Sequence, residues 1–352
     1  MKILYAIQGT GNGHLSRARD IIPILQKKGE LDLLVSGIQA DVTLPYPVKY
    51  KFGGLSFIFG KKGGVDLKET FKRSDFSQLI SEIKQVPVEE YDLVINDFEP
   101  VTAWACLLKR KECISLSHQA AVLHKHAPKP KQYDLFGKTI LKNYAPVTAK
   151  YGFHFQEYGK NIFTPVIRKE IRDIKPENHG HYTVYLPAYS DKKIIKILSE
   201  FKDIQWWVFS KHNKEVYVED NIMICPINNE TFIKSMATAE GILCGAGFET
   251  PAEALFLNKK LLVIPMKNQF EQQCNAAALK TMGIPVIKSL KKKHIPIIEE
   301  WIKSEDRIEV NYPDTTEKII DTIFELHSPL LNKQPPLEKT DIRPLWKLKE
   351  IF

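Results

Sequence analysis

Residues 241–265, GILCGAGFETPAEALFLNKKLLVIP, contain one complete structural unit of this chain. An apolar run that ends in glycines is followed by a helical pattern and then by a second apolar run, KLLVIP. Short, continuously apolar runs joined by a helix are typical of parallel strands that are covered on both faces. The stretch therefore predicts a β-α-β unit of an α/β fold, with a glycine turn at the carboxyl end of its first strand.

The same alternation occurs in both halves of the chain, which predicts two parallel-sheet domains rather than one. Polar, proline-containing sequence between the halves resembles a linker. Apolar runs that predict strands lie at residues 2–7, 31–37, 91–97 and 113–118, and again at 182–188, 204–210, 241–245 and 260–265. We expect an N-terminal acceptor-side domain over 1–167, a linker over 168–181, a C-terminal domain over 182–328 and a tail over 329–352.

Composition is that of a soluble globular protein, with 43% hydrophobic and 26% charged residues in 352. The five cysteines form no CxxC pair, which favours reduced thiols and a cytoplasmic protein. The formal net charge of +8 suits anionic partners such as nucleotides, nucleic acid or an acidic membrane surface. Because no RNA-binding motif accompanies the charge, nucleic acid is not an expected partner.

Residues 52–80 form an irregular insertion that mixes glycine, aromatic residues, lysine and arginine. The pattern fits an ordinary surface loop. It also fits a lobe that binds an acceptor or touches a membrane, because aromatic residues beside lysines suit an anionic interface. Peripheral contact at the inner face of a membrane therefore remains open.

The first glycine loop lies in IQGTGNGHLSRA, residues 7–18. Its spacing matches neither the dinucleotide fingerprint nor the P-loop, which require G-x-G-x-x-G and Gly-Lys-Ser/Thr respectively. Gly11, Asn12 and Gly13 would let the backbone approach a bound group closely where a helix begins. His14 follows them, and it either accepts a proton from an alcohol or merely caps the helix.

The second glycine loop leads into a helix, and its exposed N–H groups would bind an anion such as a diphosphate. Thr250 is the expected N-cap, with Pro251 in the first turn. Glu253 then has two possible roles. It completes a capping box with Thr250, or it accepts hydrogen bonds from two ribose hydroxyls.

The spacing of several residues after this loop resembles the nucleotide-sugar motif of the GT-B glycosyltransferases. Glu253 is followed twelve residues later by Pro265, then by Glu271–Gln272 and by Asn275–Ala276. GTGNGH, residues 9–14, is similar to the N-terminal loop of the same family, which includes UDP-sugar transferases and the N-acetylglucosaminyltransferase of peptidoglycan synthesis. Glu271 replaces an aspartate that is commoner in one branch of the family, so the resemblance leaves the donor sugar open.

The resemblance implies a role for each matching residue. Glu253 would bind the ribose, Glu271 and Gln272 the donor sugar, and Ile227 the base. The residues expected at the diphosphate are Gly245, Gly247, Phe248, Thr250 and Ser190. Position in the chain suggests the remaining roles. His14, where a helix begins, would act as the catalytic base; Asp97 and Glu99, at a strand end facing the same cleft, would orient His14 or the acceptor; and His118, at the end of the next strand, would lie on the acceptor side. For Asp97, Glu99 and His118, an ordinary role at a strand end is an equally good interpretation.

The implied activity is that of an inverting, metal-independent hexosyltransferase. It would move a sugar from a nucleoside diphosphate, with UDP as the expected nucleotide, to a hydroxyl of an acceptor such as a lipid or a glycan. No Asp-x-Asp triplet occurs, so neither a metal nor another cofactor is expected. A nucleotide-sugar epimerase of the same architecture is the alternative, and a basic nucleic-acid-binding protein is a third.

Overall fold

A computed structural model describes residues 1–37, 44–55, 59–60, 64–65, 76–131 and 135–328. Most of the 52–80 insertion and the whole 329–352 tail lie outside these ranges, so the expectations about an acceptor lobe and a tail are not addressed. In the described part of the chain, no helix is both long and apolar enough to cross a membrane.

Fifteen strands are formed by the described residues. In chain order they are β1 Lys2–Gln8, β2 Glu30–Ser36, β3 Tyr50–Phe52, β4 Phe59–Gly60, β5 Gly64–Val65, β6 Leu93–Asp97, β7 Ile114–Leu116, β8 Ala149–Phe153, β9 Ile162–Phe163, β10 Tyr182–Tyr185, β11 Trp206–Ser210, β12 Tyr217–Glu219, β13 Ile222–Pro226, β14 Gly241–Gly245 and β15 Lys260–Ile264.

Twelve α-helices accompany these strands in the same part of the chain. They are α1 Asn12–Gln26, α2 Phe76–Gln85, α3 Pro100–Lys109, α4 His118–Val122, α5 Leu135–Tyr144, α6 Lys169–Arg172, α7 Asp191–Leu198, α8 Asn229–Thr238, α9 Glu249–Phe256, α10 Phe270–Thr281, α11 Ile295–Lys303 and α12 Thr316–His327.

The strands confirm the predicted α/β architecture with two parallel-dominated sheets. The first has the order β3-β2-β1-β6-β7-β8-β9, and the second has the order β12-β13-β11-β10-β14-β15. Every neighbouring pair is parallel except β12–β13. All residues of β6, in the middle of the first sheet, and of β15, the last strand of the second sheet, are buried, as expected for strands covered by helices on both faces.

Each sheet contains a switch point in its strand order, and a segment that the sequence analysis singled out begins at each of these points. In the first sheet the order reverses between β1 and β6, and in the second it reverses between β10 and β14. Open α/β sheets bind ligands beyond the carboxyl ends of strands at such points. His14 lies in the first turn of α1, just after β1, and the loop after β14 is the second glycine loop.

The last described helix packs against the N-terminal half, although the predicted boundaries assign it to the C-terminal domain. His327 at the end of α12 bonds to Glu112 at 2.9 Å and to Tyr151 Oη at 2.9 Å. Asp321 pairs with Lys28, just after α1. Apolar residues of α12 join the core cluster that contains α1 and β1. The chain therefore returns to its first half, a crossing that a domain assignment based on linear sequence cannot detect.

Candidate active site

A cavity of about 470 Å³ lies between the two halves of the protein. The N-terminal half contributes Thr10, Gly11, Asn12, Gly13, His14, Ser16, Arg17, Arg19, His118 and Gln119. The other lining residues are Arg168, Tyr185, Phe209, Ile227, Asn228, Asn229, Phe232, Gly247, Phe248, Glu249, Thr250, Glu253, Gln269, Glu271 and Gln272. Both glycine loops therefore open into one space.

The first glycine loop brings the two halves into close approach. Gly11 has φ +90°, a conformation that L side chains rarely adopt, and it directly precedes α1. A Cβ atom on Gly13 would lie 3.1 Å from Cγ of Glu249 in the opposite half. The loop thus needs glycine for its turn at one position and for close packing at the other.

His14 and Asp97 form a hydrogen-bonded pair at the carboxyl edge of the first sheet. The parallel register of β1 and β6 places Asp97 beside Ile7, and α1 begins shortly after β1. Nδ1 of His14 lies 2.8 Å from Oδ1 of Asp97, and the Asp97 side chain is fully buried. A proton on Nδ1 donates to this carboxylate, which leaves the Nε2 lone pair free to accept a proton.

Arg17 lies one turn after His14 and bridges two carboxylates. Its Nη2 donates to both carboxylate oxygens of Asp97, at 2.8 and 2.7 Å, and its Nη1 donates to Glu249. Burial would raise the pKa of Asp97, but Arg17 and His14 hold that pKa below its ordinary value. Burial raises the pKa of Glu249 to about 7, against the opposing effect of Arg17. One cation therefore stabilises Asp97 as an anion more effectively than Glu249.

Gln119 connects the His14–Asp97 pair to Glu271, the carboxylate that the sequence analysis predicts at the donor sugar. Its Nε2 donates to Oε2 of Glu271 at 2.9 Å and lies 3.4 Å from Nε2 of His14. Because a carboxylate can only accept, the amide nitrogen must face Glu271, and the same nitrogen then faces His14. This arrangement agrees with an unprotonated Nε2 on His14.

The second glycine loop differs from the prediction at the start of its helix. α9 begins at Glu249 with Phe248 as N-cap, so Thr250 lies inside the first turn and is not the cap. Gly247, Phe248 and Thr250 line the cavity, whereas Gly245 ends β14 and does not line it. The predicted cap position was wrong by two residues, since a local signal such as a threonine locates a helix boundary only to within a residue or two.

Glu253 forms no capping box, which contradicts one of its two predicted roles. Its carboxylate instead accepts from Nε of Arg168 at 2.5 Å and from Nη2 at 2.8 Å, and Glu253 is 2% exposed. Arg168 opens the predicted linker and is held further by Glu170 and Asn229. A carboxylate has about four lone-pair sites, so Glu253 can still accept bonds from a ligand in the cavity.

Gln272 is positioned by the loop that follows β15. Its Oε1 accepts from the backbone N–H of Met266 at 2.9 Å, and its own backbone N–H donates to the Gln269 side chain, which caps α10. Ile227 lines the cavity next to Asn228. Ser190 does not line it, because its side chain is exposed before α7, so the expected contact with phosphate is not supported.

Glu99 is a helix cap and does not orient His14. Its carboxylate accepts from the backbone N–H groups of Val101 and Thr102, each at 2.6 Å, and from Oγ of Ser36 at 2.6 Å. It is completely buried, and burial raises its pKa. The prediction of a catalytic role is therefore replaced by N-capping of α3, a common role for an acidic residue just before a proline.

His118 lines the cavity on the N-terminal side and contacts the other half of the protein. Its Nδ1 faces the carbonyl oxygen of Phe153 at 2.8 Å, and its Nε2 faces Oδ1 of Asn275 at 2.7 Å. The ring stacks on Phe248 with centroids 3.9 Å apart. Burial lowers the pKa of His118. A neutral ring donates from only one of these nitrogens, and its stack on Phe248 connects His118 to the second glycine loop.

The sequence analysis did not identify Arg17, Gln119, Arg168 or Glu249, each of which lines the cavity and bonds to another residue of the site. Arg17 has the i+3 spacing from His14 that places two residues on one helix face, so its proximity could have been inferred. The other three meet their partners only across the cleft or at the linker. No local pattern identifies such contacts.

A sequence-family model described as "Glycosyl transferase family 1" matches residues 1–303. This chain belongs to glycosyl transferase family 1. The match spans both sheets and both glycine loops, so the protein is a glycosyltransferase and the predicted resemblance is confirmed. A search of curated protein sequences returns no significant match.

Solved structures similar to this glycosyltransferase identify the fold as GT-B. The glycotransferase of kitacinnamycin has 12% sequence identity and a TM-score of 0.55, with 92% of this chain and 94% of that chain covered. Arabidopsis thaliana UGT89C1 complexed with quercetin has 12% identity and a TM-score of 0.55, with 95% of this chain and 96% of that chain covered. Acinetobacter baumannii MurG has 13% identity and a TM-score of 0.51, with 92% of this chain and 99% of that chain covered. Identities this low establish the fold and not the substrates.

The pKa of Glu249 predicts how the stability of this glycosyltransferase depends on pH. Because the pKa rises from 4.5 to about 7 on folding, the stabilisation by the neutral acid is full below pH 4.5 and is lost as the pH rises through 7. Glu249→Gln mimics the neutral acid. We expect the free energy of unfolding of the wild type, relative to this variant, to fall by about 2–3 kcal/mol between about pH 5 and about pH 8.

Chemical denaturation of both proteins at each pH measures this difference. The comparison cancels the contributions of titrating groups that do not interact with Glu249, such as His118. A difference that does not change with pH would contradict the assignment.

Proposed function

We propose that this protein is an inverting, metal-independent glycosyltransferase that uses a UDP-sugar as donor and a hydroxyl group as acceptor. The observation that carries the proposal is the His14–Asp97 pair: Nδ1 of His14 is bonded to Asp97, and His14 lines the cavity shared with the second glycine loop. A base on one side and an anion-binding helix start on the other are the two groups that such a transfer requires.

The reaction follows from this placement. The acceptor hydroxyl transfers its proton to Nε2 of His14 while its oxygen attacks the anomeric carbon of the donor. The bond between that carbon and the diphosphate oxygen breaks as the new glycosidic bond forms. Attack opposite the leaving group inverts the anomeric configuration. Asp97 stabilises the imidazolium that results, as a carboxylate does in other catalytic triads.

The donor would lie along the second half of the site. Backbone N–H groups from Gly247 to Thr250, at the start of α9, would bind the diphosphate and stabilise it as it leaves. Glu253 would accept hydrogen bonds from the ribose, and Glu271 and Gln272 would face the sugar. Ile227 and its neighbours would contact the base.

Uridine is the nucleotide to test first. Structures of the same fold include Arabidopsis thaliana UGT89C1 complexed with UDP, at 12% identity and a TM-score of 0.52, and Phytolacca americana UGT2 complexed with UDP-2fluoro-glucose and pterostilbene, at 12% and 0.55. These ligands belong to those proteins. Because proteins of the same fold bind these ligands, UDP-sugars are the first donors to include in a screen of this chain.

Thermal-shift screening against nucleotide sugars, followed by incubation of the stabilising donor with candidate lipid and glycan hydroxyls, tests the proposal. We expect UDP release that continues in EDTA and a product whose anomeric configuration, assigned by proton NMR, is opposite to that of the donor. A new epimer of the donor without UDP release would show an epimerase instead. Tight oligonucleotide binding without donor binding would indicate a nucleic-acid-binding protein.

A further inference from the structure

Arg17 reaches from the N-terminal half to the start of α9, at the end of the second glycine loop in the other half. Its side chain is only 1% exposed, yet it lines the cavity and donates across the cleft to Glu249. Its Nε atom has no hydrogen-bond partner among the described residues. The guanidinium therefore has donor capacity beyond its bonds to Asp97 and Glu249.

Glu249 is an unfavourable partner for this arginine. It is the first residue of α9, directly after Gly247 and Phe248, where exposed N–H groups favour an anion. Its surroundings also contain Asp97 and Glu253, two further carboxylates that disfavour a third negative charge. Glu249 thus brings a carboxylate to the helix start and shares one cation with Asp97.

We propose that Arg17 is a diphosphate-binding residue and that Glu249 occupies its guanidinium only until the donor arrives. On binding, Nη1 would pass from the Glu249 carboxylate to the diphosphate, while Nη2 keeps its two bonds to Asp97. This inference rests on the proposed function and extends it, because it assigns the cation that faces the leaving group to the acceptor-side domain.

The exchange has a chemical consequence for transfer. The diphosphate gains one negative charge when its bond to the anomeric carbon breaks, and a guanidinium binds such an oxyanion with charge-assisted hydrogen bonds. Arg17 would thereby contact the leaving group and the Asp97 that orients the base at the same time. The donor must lie between the two halves for both contacts to exist.

Calorimetric titration with uridine and with UDP isolates the contribution of the diphosphate. For Arg17→Met we expect UDP affinity to fall roughly 10- to 100-fold, with uridine affinity changed less than about twofold. Arg307→Met is the matched control, since Arg307 pairs with Glu240 and does not line the cavity, and its two affinities should equal those of the wild type. Equal losses for uridine and UDP in Arg17→Met would show a merely structural role and overturn the inference.

Glu249→Gln provides a second variant that leaves the Arg17–Asp97 pair intact, in case Arg17→Met does not fold. Removal of the competing carboxylate should tighten UDP binding roughly 3- to 10-fold at about pH 8, with little change at about pH 6. Unchanged or weaker UDP binding at the higher pH would overturn the inference. If the wild type binds no nucleoside diphosphate at all, the proposed function fails and the inference fails with it. Wild-type UDP binding with an unchanged ratio of uridine to UDP affinity in Arg17→Met overturns the inference alone.

Discussion

Replacement of His14 by alanine is expected to reduce the rate of sugar transfer by about 10²- to 10⁴-fold. Without the imidazole, no group at this position accepts the proton from the attacking hydroxyl, although the second glycine loop is unchanged. UDP affinity should therefore stay within about twofold of the wild type, since the proposed base does not contact the nucleotide. Initial rates of UDP release and calorimetric UDP titration measure the two quantities separately.

The control for this experiment is a histidine outside the cavity. His126 is exposed on the loop after α4, so His126→Ala should have the same turnover as the wild type. Asp97→Asn should also reduce transfer strongly, because an amide no longer selects the tautomer with the proton on Nδ1. Turnover near the wild-type value in His14→Ala would show that another residue is the base.

Replacement of Glu253 by alanine is expected to weaken UDP binding roughly 10- to 100-fold, as the loss of hydrogen bonds to a charged group would. The carboxylate is held by Arg168 with one bond to each oxygen, so it is fixed in direction before the ribose arrives. The wild type should prefer UDP over 2′-deoxy-UDP, because the deoxy ligand lacks one of the two hydroxyls that Glu253 would bind. The variant lacks the carboxylate and should lose this preference. Calorimetric titration with both ligands measures this.

Glu170→Ala is the matched control, because Glu170 also pairs with Arg168 but does not line the cavity. Its affinity for UDP should equal that of the wild type. In Glu253→Ala, Arg168 keeps Glu170 and Asn229 at 2.7 and 2.8 Å, so the arginine does not remain without partners. Equal weakening in both variants would indicate that Arg168, and not a ribose contact, controls the affinity.

Local patterns predicted the fold well and individual contacts poorly. Continuous apolar runs identified β1, β6, β14 and β15, because burial on both faces leaves a short-range signal in the sequence. The position of Asp97 near His14 could also be expected, because the carboxyl ends of parallel strands share one edge of the sheet. Glu99 was assigned wrongly because an acidic residue after a strand has the same pattern whether it caps a helix or faces a ligand.

The amino-acid sequence was sufficient to place two α/β halves and two glycine loops, because each depends on neighbours within a few turns of chain. Tertiary structure alone decided which charges meet. Arg17 contacts Asp97 and Glu249 from 80 and 232 residues away, and Arg168 contacts Glu253 from 85 residues away. Such pairs form because buried charges require partners, and which partners are available depends on how the two sheets pack together.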